Sequence, residues 1–177
     1  SYIFNNSIEN SSNHPLEDWL LNHSILTSAR ERFYRFKSIL QSFLRSDITM
    51  CSVPCGLMDE LLSLDYSNVD NFKLVGIDID EESIEYARKN AMKLNLINNV
   101  NFIQRDAWNL DITNRFDLLT SNGLNMYESD EKRLVDLYRN FRQSLKPEGI
   151  LVLSFIPSPP KNADDELMAD LFGITLD

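Results

Sequence analysis

The chain has 177 residues, with 17 Lys+Arg against 27 Asp+Glu and a formal charge of −10, 43% apolar and 25% charged types, the composition of one ordinary globular domain. The acidic balance excludes a generic basic nucleic-acid surface, which needs clustered Lys and Arg. No apolar run approaches the roughly 18 residues of a membrane span, and the opening SYIFNNSIENSSNH reads as too polar for a signal peptide.

Residues 1–45 read as an N-terminal arm and helical cap, and 46–177 as the main domain. Residues 1–13 are polar and Asn/Ser-rich, and the sequons at Asn5, Asn10 and Asn22 read as chance matches within that bias. A helical pattern begins after Pro15, with Trp19 and Leu20, and continues through Phe33, Phe36, Leu40 and Phe43 on one face. Arg30, Arg32, Arg35 and Lys37 fall among them, as expected of a solvated basic face. Cys51 and Cys55 are too few for a disulfide framework or a zinc site. Two thiols in an acidic chain fit a reducing cytoplasm, the expected location.

Strands and helices then alternate. ITMCSV (48–53) is a buried strand that breaks at Pro54-Cys55-Gly56, and Asp59, Leu61, Leu62 and Leu64 form a short helix. FKLVGIDI (72–79) is the second strand. Asp80 is placed to cap the next helix, with Glu81 and Glu82 in its first turn. Ile84, Ala87, Ala91 and Leu94 make that helix's apolar stripe, and Asn98-Asn99 turns it out. VNFIQ (100–104) and FDLLTS (116–121) are strands three and four. A helix marked by Leu134, Leu137, Tyr138, Phe141 and Leu145 closes at Lys146-Pro147-Glu148-Gly149, before strand five, ILVLSFI (150–156). Strands apolar almost throughout, alternating with amphipathic helices, predict a doubly wound, mainly parallel α/β sheet covered on both faces.

In such sheets ligands bind beyond the carboxyl ends of the strands. Those ends carry Pro54-Cys55-Gly56, Asp78-Ile79, Asp106-Ala107-Trp108 and Asn122-Gly123. A tight turn followed by a carboxylate at each of the next two strand tips suits an adenosine-like ligand. Asp78 ends an apolar strand, where an unpaired charge is costly, and ribose hydroxyls would supply its donors. Asp106 is placed to accept from an exocyclic amine, or else to cap its own turn. Ile79 and Trp108 offer apolar faces for a base, or ordinary core.

The order CSVPCGLMDELL, VGIDID, NFIQRDAW, FDLLTSNGLN and LKPEGILVLSF resembles the Rossmann-like class I S-adenosylmethionine-dependent methyltransferases from about residue 48 to 156. The acidic-x-G-x-G-x-G loop of that family corresponds here to Ser52, Pro54, Gly56 and Met58, so one glycine of three is kept and the leading acid is Ser52. Asp59 is the nearby candidate to supply that missing charge. Asp78 lies 22 residues beyond Gly56, a fitting distance within a βαβ unit of about 30 residues.

The resemblance implies S-adenosylmethionine as cofactor. It places Pro54, Cys55 and Gly56 around the methionine portion, Asp78 on the ribose, and Ile79 against the adenine. Asp106 and the Ala107 backbone would read the adenine edge, with Asn122 and Gly123 beneath the sulfonium. It implies a methyltransferase, with Trp19, Phe33, Tyr34 and Arg35 as candidates to line the acceptor pocket, or else plain packing residues. An acidic chain with a helical lid suits a small-molecule acceptor better than nucleic acid or a membrane, and a protein acceptor stays open as the alternative. His14, His23, Tyr127 and Glu128 are candidates by position for a general base; no catalytic residue is assigned. The alternatives are a nicotinamide-dependent oxidoreductase, which would want an intact G-x-G-x-x-G turn, and a non-catalytic nucleoside-binding relative. The family's antiparallel hairpin after strand five has too few residues here, leaving strand five an expected exposed edge.

Overall fold

A computed structural model describes residues 24–154 of the chain. The expectations for the polar arm, the sequons, Trp19, Leu20, His14, His23 and the end of strand five fall outside the described residues.

The elements follow the predicted alternation. Helix α1 (Ser24–Ser42) leads into β1 (Thr49–Ser52), then α2 (Asp59–Leu62), β2 (Lys73–Asp78) and α3 (Glu81–Lys93). After these come β3 (Val100–Gln104), β4 (Phe116–Asn122), α4 (Glu131–Ser144) and β5 (Leu145–Ser154). All the strands pair in parallel, in the order β3-β2-β1-β4-β5. The expected doubly wound parallel sheet is therefore present. The switch point lies at β1, whose neighbours are β2 and β4.

Alternation along the strands separates two cores. Met50, Leu74, Leu118 and Val152 point to one face, where they meet Phe36 and Leu40 of α1, Leu61 of α2 and Ile84, Ala87 and Ala91 of α3. Cys51, Val75, Ile77 and Leu119 point to the other, against Leu137 and Phe141 of α4. Among the described residues no helix is long and apolar enough to cross a membrane.

Local signals explain the boundaries. Asp80 caps α3, accepting from the backbone N–H groups of Glu82 and Ser83, and Asp130 caps α4 in the same way. Strand β5 departs from expectation by starting at Leu145 rather than after Gly149. Leu145 pairs with Phe116 and Ile150 with Leu118, so residues 146–149 bulge opposite Asp117 alone, with Glu148 at φ 61°. Asp117 holds this bulge by accepting from Lys146 Nζ at 2.7 Å. The Lys-Pro-Glu-Gly segment thus interrupts β5 rather than preceding it. β5 sits at the end of the sheet order, with Leu153 40% exposed.

Candidate functional site

The face that carries Met50, Leu74, Leu118 and Val152 turns polar at its carboxyl end. Two residues beyond each of these stand Ser52, Gly76, Thr120 and Ser154, and one step further along β2 and β4 come Asp78 and Asn122. The register confirms the tier, pairing Ser52 with both Gly76 and Thr120, and Asn122 with Ser154. The opposite face keeps Val53 and Ile77 at the same level, buried in apolar surroundings.

The loop after β1 is tied to both neighbouring strands. Val53 N–H donates to the Thr120 carbonyl at 3.0 Å and Cys55 N–H to the Ile77 carbonyl at 2.8 Å. Gly56 stands at φ 46°, where a side chain would be strained; a Cβ built on it would meet nothing within 4 Å. Met58, at the position of the family's third glycine, also takes a left-handed φ of 58°, yet its side chain is buried in the core. The loop therefore keeps the left-handed turns that glycines serve, with burial of Met58 offsetting the strain of a non-glycine residue there.

Asp78 is buried at the tip of β2. Gly56 N–H donates to its Oδ2 at 2.8 Å, and Asp80 N–H to its Oδ1 at 3.1 Å. A carboxylate has about four acceptor positions, so each oxygen can still accept. Asp80, not Asp78, caps α3, which leaves Asp78 for the loop. Ile79 beside it is 66% exposed. The tips of β2 and β3 are joined by Arg105 N–H donating to the Asp78 carbonyl at 2.7 Å and Gln104 Nε2 to the Ile79 carbonyl at 3.1 Å.

Asp106, at the next tip, accepts from Trp108 N–H at 2.9 Å through Oδ1, capping the short turn Ala107–Asn109. Trp108 faces α4: its Nε1 donates to the Arg133 carbonyl at 3.1 Å, and the Arg133 guanidinium lies 5.5 Å over its ring. Of its two expected fates, packing is the one the structure shows. Asn122 Oδ1 accepts from Ser154 Oγ at 2.7 Å, and Gly123 follows at φ 85°.

Asp59, the nearby candidate for the missing acid, lies beside Asn90 Nδ2 of α3 at 3.5 Å. The acid that reaches the Ser52 position is its neighbour. Glu60 is buried and accepts a hydrogen bond from the Ser52 hydroxyl. Sequence reading missed Glu60; the available signal was a carboxylate amid the apolar run Leu61-Leu62-Leu64, one turn after the loop. Burial pushes the Glu60 carboxyl up to about 7, against the pull of the Ser52 hydroxyl. Burial also pushes the Cys55 thiol up to about 12, assisted by the negative charges of Asp78 and Glu60. Cys55 is therefore a neutral loop residue within the influence of both carboxylates. Thr120, 0% exposed on this tier, has a hydroxyl without a hydrogen-bond partner.

A cavity of about 380 Å³ lies between α1 and the tip of β5, lined by Arg32, Arg35, Phe36, Leu153 and Ser154 among others. Of the expected acceptor-pocket residues Arg35 lines it; Phe33 is buried and Tyr34 is 55% exposed, packed edge to face at 5.9 Å. Tyr127 is 81% exposed beyond β4. Glu128 is engaged: the Asp130 N–H and then the Arg133 guanidinium, 2.5 Å away, hold its carboxyl below the usual range. Such a carboxylate is a poor base.

The methyltransferase domain profile matches residues 44–171. No curated protein matches the sequence. A possible exported protein from Bordetella parapertussis is 38% identical with a TM-score of 0.87, over 97% of this chain and 62% of that one. A SAM-dependent methyltransferase from Geobacter sulfurreducens in complex with S-adenosyl-L-homocysteine is 18% identical with a TM-score of 0.58, over 80% of this chain and 54% of that one. Another from Thiobacillus denitrificans, with the same ligand, is 19% identical with a TM-score of 0.56, over 76% and 54%. The chain thus spans about three-fifths or less of the length of these proteins, and the last two show a shared fold.

Proposed function

The chain belongs to the methyltransferase domain family, and from that premise we propose that it binds S-adenosylmethionine and passes the methyl group to a small-molecule acceptor. The observation that carries this reading is Asp78, a buried carboxylate fixed by the Gly56 and Asp80 amides with acceptor capacity left over. A vicinal diol supplies the two donors such a group lacks.

The remaining residues fit the rest of the nucleoside. Exposed Ile79 offers an apolar cover for the base, and Asp106 Oδ2 and the Ala107 backbone an edge to read it. Gly56 leaves open space at the loop, with the Pro54 and Cys55 backbone beside it for the methionine portion. Asn122 and Gly123 close the site from β4. When bound, S-adenosylmethionine brings a methyl group already activated on a sulfonium. The chain's own task is then to hold an acceptor in line and exclude water, which is where positioning supplies rate. The cavity between α1 and the Ser154–Asn122 pair is the acceptor site of this reading, with α1 acting as its cap. Its size suits a small molecule rather than nucleic acid.

Cytoplasmic residence belongs to the same reading and rests on Cys51 and Cys55 being free and buried; the Bordetella relative's description as a possible exported protein stands against it. The test is a thermal shift with S-adenosylhomocysteine. Wild type should be stabilised and Asp78→Ala should not; equal response, or none from wild type, would overturn the reading.

A further inference from the structure

Two cavities beside α1 mark the direction in which the helix runs. Ser42, Phe43 and Leu44 line one of them together with Ile48 and Asp117, near the starts of β1 and β4. Ser28, Arg32 and Arg35 line the other together with Leu153 and Ser154, at the end of β5. The helix therefore lies antiparallel to the strands, and its amino-terminal half reaches the end of the sheet where Asp78 and Asn122 stand. Ser28, Arg32, Arg35 and Ile39 recur at helical spacing, so one stripe of α1 faces the second cavity. That stripe is polar and cationic toward its amino end and apolar at Ile39, where Phe36 and Leu153 extend the apolar wall.

Arg32 and Arg35 make no ion pair or hydrogen bond among the described residues. On α3 and α4, by contrast, Arg88 pairs with Glu85 and Arg139 with Asp136. Glu31 lines the same cavity, four residues before Arg35, a spacing and orientation that favour an ion pair, yet the pair is not made. Two guanidiniums against one carboxylate leave this lining positive in a chain whose formal charge is −10. Like charges on one helix face repel. An oxyanion seated between them relieves that repulsion and matches the planar fork of N–H donors that each guanidinium presents.

We propose that the methyl acceptor is an anion, a small molecule whose carboxylate or phosphate is held by Arg32 and Arg35 while its apolar body lies against Phe36, Ile39 and Leu153. This rests on the S-adenosylmethionine reading and gives the acceptor of that reading a chemical class. The anionic group is an anchor and does not itself take the methyl group. The arginines stand on the helix wall of the cavity and Ser154, bonded to Asn122, on the strand wall. The anchored acceptor thus extends from α1 toward the residues proposed beneath the sulfonium.

The test is a ligand-observed NMR titration of the full chain saturated with S-adenosylhomocysteine, which fills the nucleoside site and leaves the acceptor site open. The probes are phenylacetate, phenyl phosphate and phenylacetamide, the last a neutral match for the first. At least one of the two anions should bind about tenfold or more tightly than the amide, and which one does so separates carboxylate from phosphate recognition. The double variant Arg32→Gln, Arg35→Gln should bring that anion down to the affinity of the amide, while S-adenosylhomocysteine binds as in wild type and reports an intact fold. If S-adenosylhomocysteine binds but neither anion is preferred over the amide, or the double variant keeps the preference, this inference is overturned and the function stands. Failure of wild type to bind S-adenosylhomocysteine overturns the functional reading, and the acceptor's class with it.

Discussion

Gly56 donates its backbone N–H to Asp78 Oδ2 at 2.8 Å, so the loop after β1 and the tip of β2 are one unit before any ligand arrives. Asp78→Ala would leave that amide and the Asp80 amide without their acceptor. Each lost bond costs about 1–3 kcal/mol where the donor is buried. We expect a lower melting temperature for Asp78→Ala even without ligand, with Asp78→Asn in between, measured by calorimetry.

Glu60 makes stability depend on pH in an unusual direction for a carboxyl. Its ordinary value is 4.5 and in the folded chain it is about 7. Between those values the folded chain holds the proton and the unfolded chain does not, so stability falls as pH rises from 4.5 to 7 and levels off above. Glu60→Gln removes this penalty. The variant should be more stable than wild type at pH 8, by up to about 3 kcal/mol, and nearly equal to it at pH 4. Urea melts across that range check this; a variant no more stable at pH 8 would contradict the buried, proton-bearing carboxyl.

Asp117 behaves oppositely. Burial would raise it, but the Lys146 ammonium, the Thr49 N–H and Arg45 together hold it below its ordinary 3.8. Its contribution is present above 3.8 and is lost as pH falls through the depressed folded value. Asp117→Asn should therefore lower stability by about 1–3 kcal/mol at pH 7, with the difference shrinking in acid. The same urea melts, extended to pH 3, measure it.

Gly76 is needed for close approach. A Cβ there would lie 2.8 Å from Phe102 Cδ1 and 3.2 Å from Cys55 Sγ. Gly76→Ala should cost about 1–3 kcal/mol by overpacking and should weaken S-adenosylhomocysteine binding by displacing Cys55. Thermal shifts with and without ligand separate the two effects.

The sheet was legible because its strands are apolar almost throughout, and parallel pairing follows from burial on both faces. Asp80 was legible as a cap because its acceptors reach the two amides that follow. Of the candidate acids, Asp78 was found because it ends an apolar run and Asp106 because it stands two residues beyond the third strand. What sequence could not show was contact across distance. Glu60 is eight residues from Ser52 yet bonded to it, and Asp59, the nearer guess, turns to α3 instead. Trp108 looked equally fit for a base or for core until α4, 25 residues on, supplied the carbonyl for its indole. The bulge in β5 was hidden because Lys-Pro-Glu-Gly reads as a helix stop in isolation, and only Asp117 on the neighbouring strand reveals it as an interruption.

The strand order gives the proposed ligand a mechanical role. The chain builds outward from β1 through β2 to β3, then crosses back to lay β4 and β5 on the opposite flank. Asp78 and Asp106 belong to the earlier-built half and Asn122 and Gly123 to the later one. A nucleoside gripped by both is a rivet through the seam between them, resisting any shear of one half past the other.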